Sequence, residues 1–289
     1  MDERALIGRV GEIIGPGRVA DDCAVLPLDG DVLVLSTDML HETADFPRGM
    51  TDWQIGWMAA AVTLSDIAAM GARPVAVLLA VGLDRWERLE GITEGAAACA
   101  GRFGCELAGG DTDAHAELTV VSSGVGRVGR EHLVRRTGSA PGDLVCITGT
   151  PGCAQAGLAG FLQHRRALLE PQPQVLAGQR LGEAGASAMM DVSDGLVISL
   201  YDLMAVNACG YAIESDRLPL PGGVPADEAR EYALYGGGDF GLLFTISPDR
   251  FPVAGVEAAV IGRAIPDCRV LVDGKKADAG GYQHRWGGE

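Results

Sequence analysis

The stretch from Asp52 to Met70 constrains this chain more than any other. It carries Ile55, Trp57, Met58, Ala59 to Val62, Leu64 and Ile67, apolar positions on nearly every side of a helical repeat. A helix without a polar face has to sit at the centre of a fold. Asp52 is its predicted N-cap, Gly71 its C-terminal stop, and Pro74 lies just beyond. Yet Asp66 sits inside this run, within Val62-Thr63-Leu64-Ser65-Asp66-Ile67-Ala68-Ala69-Met70. An unpaired carboxylate there is costly unless something charged or metallic meets it.

Four further acidic motifs fall where apolar runs meet turns: Asp21-Asp22, Ser36-Thr37-Asp38, Gly109-Gly110-Asp111-Thr112-Asp113 and Asp191-Val192-Ser193-Asp194-Gly195. Carboxylates that converge lower their burial penalty by sharing a hard cation. Magnesium takes oxygen ligands, keeps waters and shares its shell with substrate phosphates. The residues alone therefore point to phosphoryl transfer from a nucleotide.

Charge narrows the partners. A formal net charge of −16 lacks the basic stripe that nucleic acid requires. It fits a plain acidic surface, or acids neutralised by metal in use, or both. No run of eighteen uncharged apolar residues exists, and Met1-Asp2-Glu3-Arg4 lacks a signal-peptide layout, so a cytoplasmic chain without a membrane partner is expected. The seven cysteines contain no C-x-x-C pair; packing thiols are expected, and zinc is not.

Along the chain, a helix is predicted over Arg4–Ile14, and strands over Cys23–Leu28 and Asp31–Ser36. After the central helix come strand Val75–Gly82, helix Trp86–Phe103, a short strand Glu106–Ala108 ending at the glycine pair, and strand Leu118–Val128. Thr137-Gly138-Ser139-Ala140-Pro141-Gly142 breaks the composition and marks a domain boundary, with domains over 1–137 and 138–289. The second reads as strand Leu144–Thr148, helices Cys153–Leu162 and Val175–Leu181, strand Ser187–Met190 and helix Leu196–Val206. Strands at Tyr211–Glu214, Phe240–Ile246, Ala258–Ile261 and Arg269–Val272 follow, and the residues after Ser247 are the hardest to read.

Each motif has a plain reading beside the chemical one. Ser36-Thr37-Asp38 suits magnesium and its waters, or an Asx or ST turn. Asp21 and Asp22 cannot face the same way on an extended chain, so at most one ligates directly. Gly109-Gly110-Asp111 lets backbone approach a phosphate while the acid holds its metal, or makes an ordinary turn. Ser193 or Asp194 can cap the helix that follows, and a helix N-terminus also favours phosphate. Arg135-Arg136 offers an anion clamp or a solvated pair. Gly124-Val125-Gly126-Arg127-Val128-Gly129 matches a dinucleotide fingerprint in letters only, since no helix is expected after it, and Gly274-Lys275-Lys276 is not a Walker loop.

Taken together and in this order, the motifs resemble the thiamine-monophosphate kinase family. Its superfamily includes aminoimidazole ribonucleotide synthetase, selenophosphate synthetase and the hydrogenase-maturation carbamoyl dehydratase. The matching stretches run from about Arg18 to His284. They are Asp21 to Val25, Ser36 to Asp38, Ala61 to Ala72, Gly109 to Thr112, Arg136 to Asp143, Asp191 to Leu196 and Gly236 to Thr245.

The resemblance implies an α+β, two-domain synthetase-like fold. Its N-terminal α/β domain forms a dimeric barrel by pooling strands between two copies, and a C-terminal α/β domain lies alongside. It implies ATP, several Mg2+ ions, a homodimer, and direct transfer of the γ-phosphate to thiamine monophosphate. Carried over by position, Asp22, Ser36, Thr37, Asp38, Asp66, Asp111 and Asp191 hold metal. Gly110, Asp111, Arg136 and Ser193 contact nucleotide, and Asp194 sits near a further metal and the acceptor as the catalytic acid. No selenophosphate-type Cys or Lys stands at an N-terminal glycine loop, and the chain ends Trp286-Gly287-Gly288-Glu289 without the cysteine tail of the maturation type.

The departures cluster on the acceptor side. Asp45 stands where relatives often show His, Gly238 replaces the Glu of Gly-Gly-Glu-Asp-Tyr-Glu, and Ala279 replaces an aromatic before Gly281-Tyr282-Gln283-His284. Ser199 and Ala20 also differ, from Asp and Gly. Three readings follow: thiamine phosphate with rearranged contacts, Asp45 facing its cationic thiazolium; another small acceptor; or a nucleotide-binding dimer without turnover.

Overall fold

The structure, a computed structural model, describes residues 3–284. The two chain ends, Met1-Asp2 and the stretch holding Trp286-Gly287-Gly288-Glu289, lie outside the described residues.

Helix α1 (Glu3–Ile14) precedes strands β1 (Ala24–Pro27) and β2 (Asp31–His41). Then come α2 (Asp52–Ala69), β3 (Arg73–Leu83), α3 (Leu89–Arg102), β4 (Glu106–Ala114) and β5 (Thr119–Gly129). The later part runs β6 (Leu144–Thr148), α4 (Cys153–Leu158), α5 (Arg165–Leu169), α6 (Val175–Ala184), β7 (Ala188–Val192) and α7 (Leu196–Val206). It closes with β8 (Gly210–Ile213), α8 (Ala226–Tyr235), β9 (Gly241–Ile246), β10 (Ala258–Ile265), β11 (Val270–Val272) and β12 (Lys275–Lys276).

The strands form two sheets that share no strand, in the orders β1-β2-β5-β3-β4 and β12-β11-β8-β10-β6-β9-β7. The fold is α+β. In the first sheet every pair is antiparallel except β3 with β4. Alternation along β2 and β5 turns Val32, Val34, Ser36, Val120 and Ser122 inward, as a half-buried strand requires.

Helix α2 covers that inner face and is the centre the sequence demanded. Every residue from Ile55 to Met70 is buried except Asp66. Its cap differs from expectation. Thr51, not Asp52, is the N-cap, and it exchanges side-chain and backbone hydrogen bonds with Gln54 in a capping box. Helix α3 crosses α2 closely: a Cβ on Gly56 would lie 1.8 Å from the Ile92 carbonyl oxygen, so only glycine fits. The C-terminal end of α2 reaches the second sheet, where Ala68 and Ala69 share a core with Leu144, Cys146, Met189 and Phe244. Asp66 thus lies where the two sheets' helical layers meet.

Strands β2, β4 and β10 run furthest past their predicted ends, β10 reaching Ile265 instead of Ile261. β2 continues through Thr37 to His41 because β5 pairs with it along its whole length. β4 does not stop at the glycine pair but carries Gly109-Gly110-Asp111 inside the strand. Of the cysteines, Cys23, Cys99, Cys146 and Cys209 are buried as expected; Cys105 and Cys153 are half-buried and Cys268 is exposed.

Candidate active site

Three carboxylates from distant parts of the chain converge beside α2. Asp22 comes from the turn before β1, Asp66 from α2 and Asp191 from the end of β7. One oxygen of each lies within 4.8 Å of the others. Asp22 has no exposed side-chain surface, and its Oδ2 is buried without a hydrogen-bond partner.

Hydroxyls hold these acids in place. Ser65 donates to Asp191 Oδ2 at 2.7 Å, and Thr63 donates to Asp38 Oδ2 at 2.6 Å. Ser36 donates to Asp66 Oδ2, which links β2 to the cluster. Ser122 donates to the Ala59 carbonyl at 2.5 Å and contacts Thr63. Ser65 adjoins Asp66 in the motif the sequence singled out, whereas Thr63 and Ser122 were not among its candidate residues. Their signal was a hydroxyl in an apolar helix or on the inward face of a strand, where a polar group must find a partner.

The electrostatics follow from crowding. Burial raises Asp66 well above the ordinary carboxylate range, and the neighbouring charges of Asp38, Asp191 and Asp22 raise it further. Asp191 is raised by burial and by Asp22, against the Ser65 hydroxyl and the Arg136 charge. Asp38 is raised by burial, against the hydroxyls of Thr63 and Ser36. Asp38, Asp66 and Asp191 are thus poised to take a proton or a cation.

Adjacent acids do split their roles. Asp21 turns to Arg135, which donates from Nη1 at 2.5 Å, and also accepts from the Arg136 amide at 3.0 Å. Asp22 receives Arg136 Nη2 at 2.6 Å on Oδ1. The arginine pair is therefore tied to the acid pair rather than left as a free clamp, although Arg136 Nε remains buried and unpartnered.

Beside the cluster opens a cleft of about 570 Å3, lined by Asp38, Asp45, Phe46, Asp194, Gly238 and Tyr282 among others. Asp38 reaches both the cleft and, through Ser36, the acids behind it. Asp45 accepts from the His41 amide at 2.8 Å and is only 10% exposed at its side chain. Asp194 is pushed up to about 6, chiefly by burial and then by Glu3. Asp239, next to Gly238, accepts from the amides of Gly152 and Ala154 at the start of α4. Ala279 does not line the cleft; its neighbours Gly281 and Tyr282 do. Among the described residues, no lysine or arginine lines it.

A second pocket of about 270 Å3 lies on the other side of Ser193 and Asp194, with Arg4 and Arg136 on its wall. Ala20 and Ser199, two of the departing positions, also line it.

Thr37, Gly110 and Asp111 are not brought to the acid cluster. Thr37 points away from α2, where its hydroxyl meets Ser123 Oγ at 2.9 Å. Asp38 pairs with Ser122, Ser122 with Leu79, and Leu79 with Gly110. Three strand spacings put Asp111 about 14 Å from Asp38 within the sheet. Pleat alternation sets Asp111 on the opposite face as well. Gly110 is needed there because a Cβ would lie 1.7 Å from the Leu79 carbonyl oxygen.

Residues 20–128 match the family model for the AIR synthase related protein, N-terminal domain. A thiamine-monophosphate kinase from Methanospirillum hungatei is 50% identical over 286 residues, covering 99% of this chain and all of that one. The chain belongs to the thiamine-monophosphate kinase family. A Halobacterium salinarum member is 38% identical over 98% of this chain and all of its own length. A solved structure of AaThiL complexed with AMPPCP and TMP superposes with a TM-score of 0.91 at 29% identity, covering 98% of this chain and 97% of that one.

For a thiamine-monophosphate kinase relative, the acid cluster fits a hard divalent cation. Its donors are all oxygens, Asp191 and Asp66 are held by the hydroxyls of Ser65 and Ser36 and Asp22 by Arg136, and one buried carboxylate oxygen has no other partner. Among the described residues no cysteine or histidine joins the three carboxylates within their 4.8 Å grouping, so the set does not match the usual zinc ligands.

Proposed function

We propose that the chain transfers the γ-phosphate of ATP to thiamine monophosphate, giving thiamine diphosphate. The observation that carries this reading is the convergence of Asp22, Asp66 and Asp191, with a partnerless oxygen on Asp22, beside a cleft of substrate size. The family membership supplies the reaction: the relatives are named for it, and one was solved with a nucleotide analogue and TMP.

Asp22, Asp66 and Asp191 would hold magnesium, with Asp38 and Ser36 hydrogen-bonded beside them. The ion would supply charge neutralisation for the transferring phosphates. The chain's own residues do the rest by positioning. Ser65, Thr63 and Ser36 lock carboxylate rotamers, and Arg136 balances Asp22 while facing the pocket at Ser193. Asp194 lines both pockets and would orient the acceptor phosphate. The cleft wall offers carboxylates and, among the described residues, no lysine or arginine, which suits a cationic heterocycle. Asp45 is the group that meets the thiazolium, and Gly238 leaves room beside it.

The same reading accounts for Gly110 and Asp111. They lie on β4, the edge strand, whose outer face is exposed along its length. A homodimer that pools strands places each copy's Asp111 at the partner's nucleotide, so that residues remote in one chain act together in two. We draw the domain division at 137/138, between β5 of the first sheet and β6 of the second, and a cytoplasmic setting fits an ATP-dependent enzyme. Among the described residues, no helix is long and apolar enough to cross a membrane.

The test is direct. Purified protein incubated with Mg-ATP and thiamine monophosphate should give thiamine diphosphate by chromatography, and EDTA should stop it. Mg-ATP that raises the melting temperature without any product would keep the nucleotide site and move the search to another acceptor.

A further inference from the structure

One guanidinium closes the loop that carries Asp45 and Phe46. Arg88 follows β3 and is 6% exposed at its side chain. Its Nε donates to Asp52 Oδ1 at 2.8 Å, and its Nη1 donates to Glu42 Oε1 at 2.9 Å and Asp84 Oδ1 at 3.1 Å. Glu42 and Asp52 are the two ends of the segment between β2 and α2. Everything that segment presents to the cleft, including Asp45, Phe46 and Pro47, hangs between two points on the same side chain.

We propose that Arg88 is a positioning residue for the acceptor, acting through the 43–51 loop; this rests on the kinase reading above. The planar fork of arginine reaches several carboxylates in fixed directions, which a lysine ammonium cannot do. The buried guanidinium strengthens each bond, since little water competes for it. Inside the loop, Asp45 is held by the His41 amide, and its own amide returns to the His41 carbonyl at 3.0 Å. Glu42 is further fixed by its amide donating to the Leu118 carbonyl at 3.0 Å. The loop is thus tied at its base, and Phe46 anchors it to the first core beside the cleft. None of the three acids lines the cleft, so Arg88 governs placement rather than contact.

The experiment compares full-length Arg88→Met, Arg88→Lys and Glu42→Gln with the parent chain in two measurements: steady-state kinetics for each substrate, and hydrogen exchange of peptides spanning 42–51. Arg88→Met should raise KM for thiamine monophosphate about tenfold while KM for Mg-ATP stays within about twofold. Exchange should quicken over 42–51 and not elsewhere. Arg88→Lys should recover only part of the loss, and Glu42→Gln, which keeps the fold with one bond weakened, should shift the same KM by a smaller factor. A purely structural role would lower the melting temperature and alter both KM values together; that outcome, or unchanged exchange over 42–51 in Arg88→Met, overturns the proposal. If the parent chain makes no thiamine diphosphate, the kinase reading fails, and the exchange arm still decides whether Arg88 clamps the loop.

Discussion

Ser65 and Asp191 stand 126 positions apart in sequence, yet the Ser65 hydroxyl donates to Asp191 Oδ2 at 2.7 Å. That bond joins the helix over the first sheet to a strand of the second. Both side chains are buried, so the contact couples the two halves of the molecule at the acid cluster.

Replacing Ser65 with alanine strips a buried carboxylate of its donor. Stability should fall by roughly 1–3 kcal/mol, the usual penalty for a buried polar group left unsatisfied. Saturating magnesium should restore part of it, because a cation can serve the orphaned oxygen. Chemical denaturation with and without MgCl2 measures both terms, and an unchanged midpoint without metal would count against the coupling.

Asp66→Asn should separate folding from chemistry. Turnover should drop by roughly a thousandfold, on the scale seen when one preorganised electrostatic group is removed. The metal-free protein should be no less stable than the parent, since the change removes one of several crowded like charges around Asp66. Kinetics and a thermal melt on the same preparation test it. Retained activity would sink the metal assignment.

The pH dependence has a definite sign. Asp66, Asp38 and Asp191 all sit above the ordinary carboxylate range in the folded chain. The folded state therefore binds protons more tightly than the unfolded chain at these sites. Their contribution makes the metal-free protein more stable as pH falls from the raised values towards the ordinary carboxylate range. Magnesium competes with those same protons. The melting-temperature gain from MgCl2 alone should be larger at pH 8 than at pH 6, and the reverse order would refute the shared site.

Asp45→Asn keeps the size of the side chain and removes its charge. If Asp45 meets a cationic ring, KM for thiamine monophosphate should rise about tenfold, which is ~1.4 kcal/mol of lost binding. KM for Mg-ATP should hold. Equal shifts in both would mean that the loop, not the charge, was disturbed.

Much of the chain was legible because its patterns are local. Strand Leu144–Thr148 and helix Leu196–Val206 match their predicted bounds, each an apolar run between glycines or polar turns. The Ser36-Thr37-Asp38 motif read as a strand end because polar residues usually mark turns. In fact β5 supplies pairing partners through His41, which no property of β2 reveals. Helix α8, over Ala226–Tyr235, was not read at all. It is mostly polar and is held by burying Ala233 and Leu234 in the second core.

The central helix and the acids in need of neutralisation were readable from pattern alone, because composition and spacing are properties of a segment, and the ordered motifs carried the resemblance that implied the α+β class and the family. Only the tertiary structure decided which acids meet. Asp22, Asp66 and Asp191 converge because one helix spans both sheet layers, while pleat alternation and strand order leave Thr37 and Asp111 apart. Hydrogen bonds and like-charge repulsion act over a few ångströms, and that distance is set by packing between elements rather than by separation along the chain.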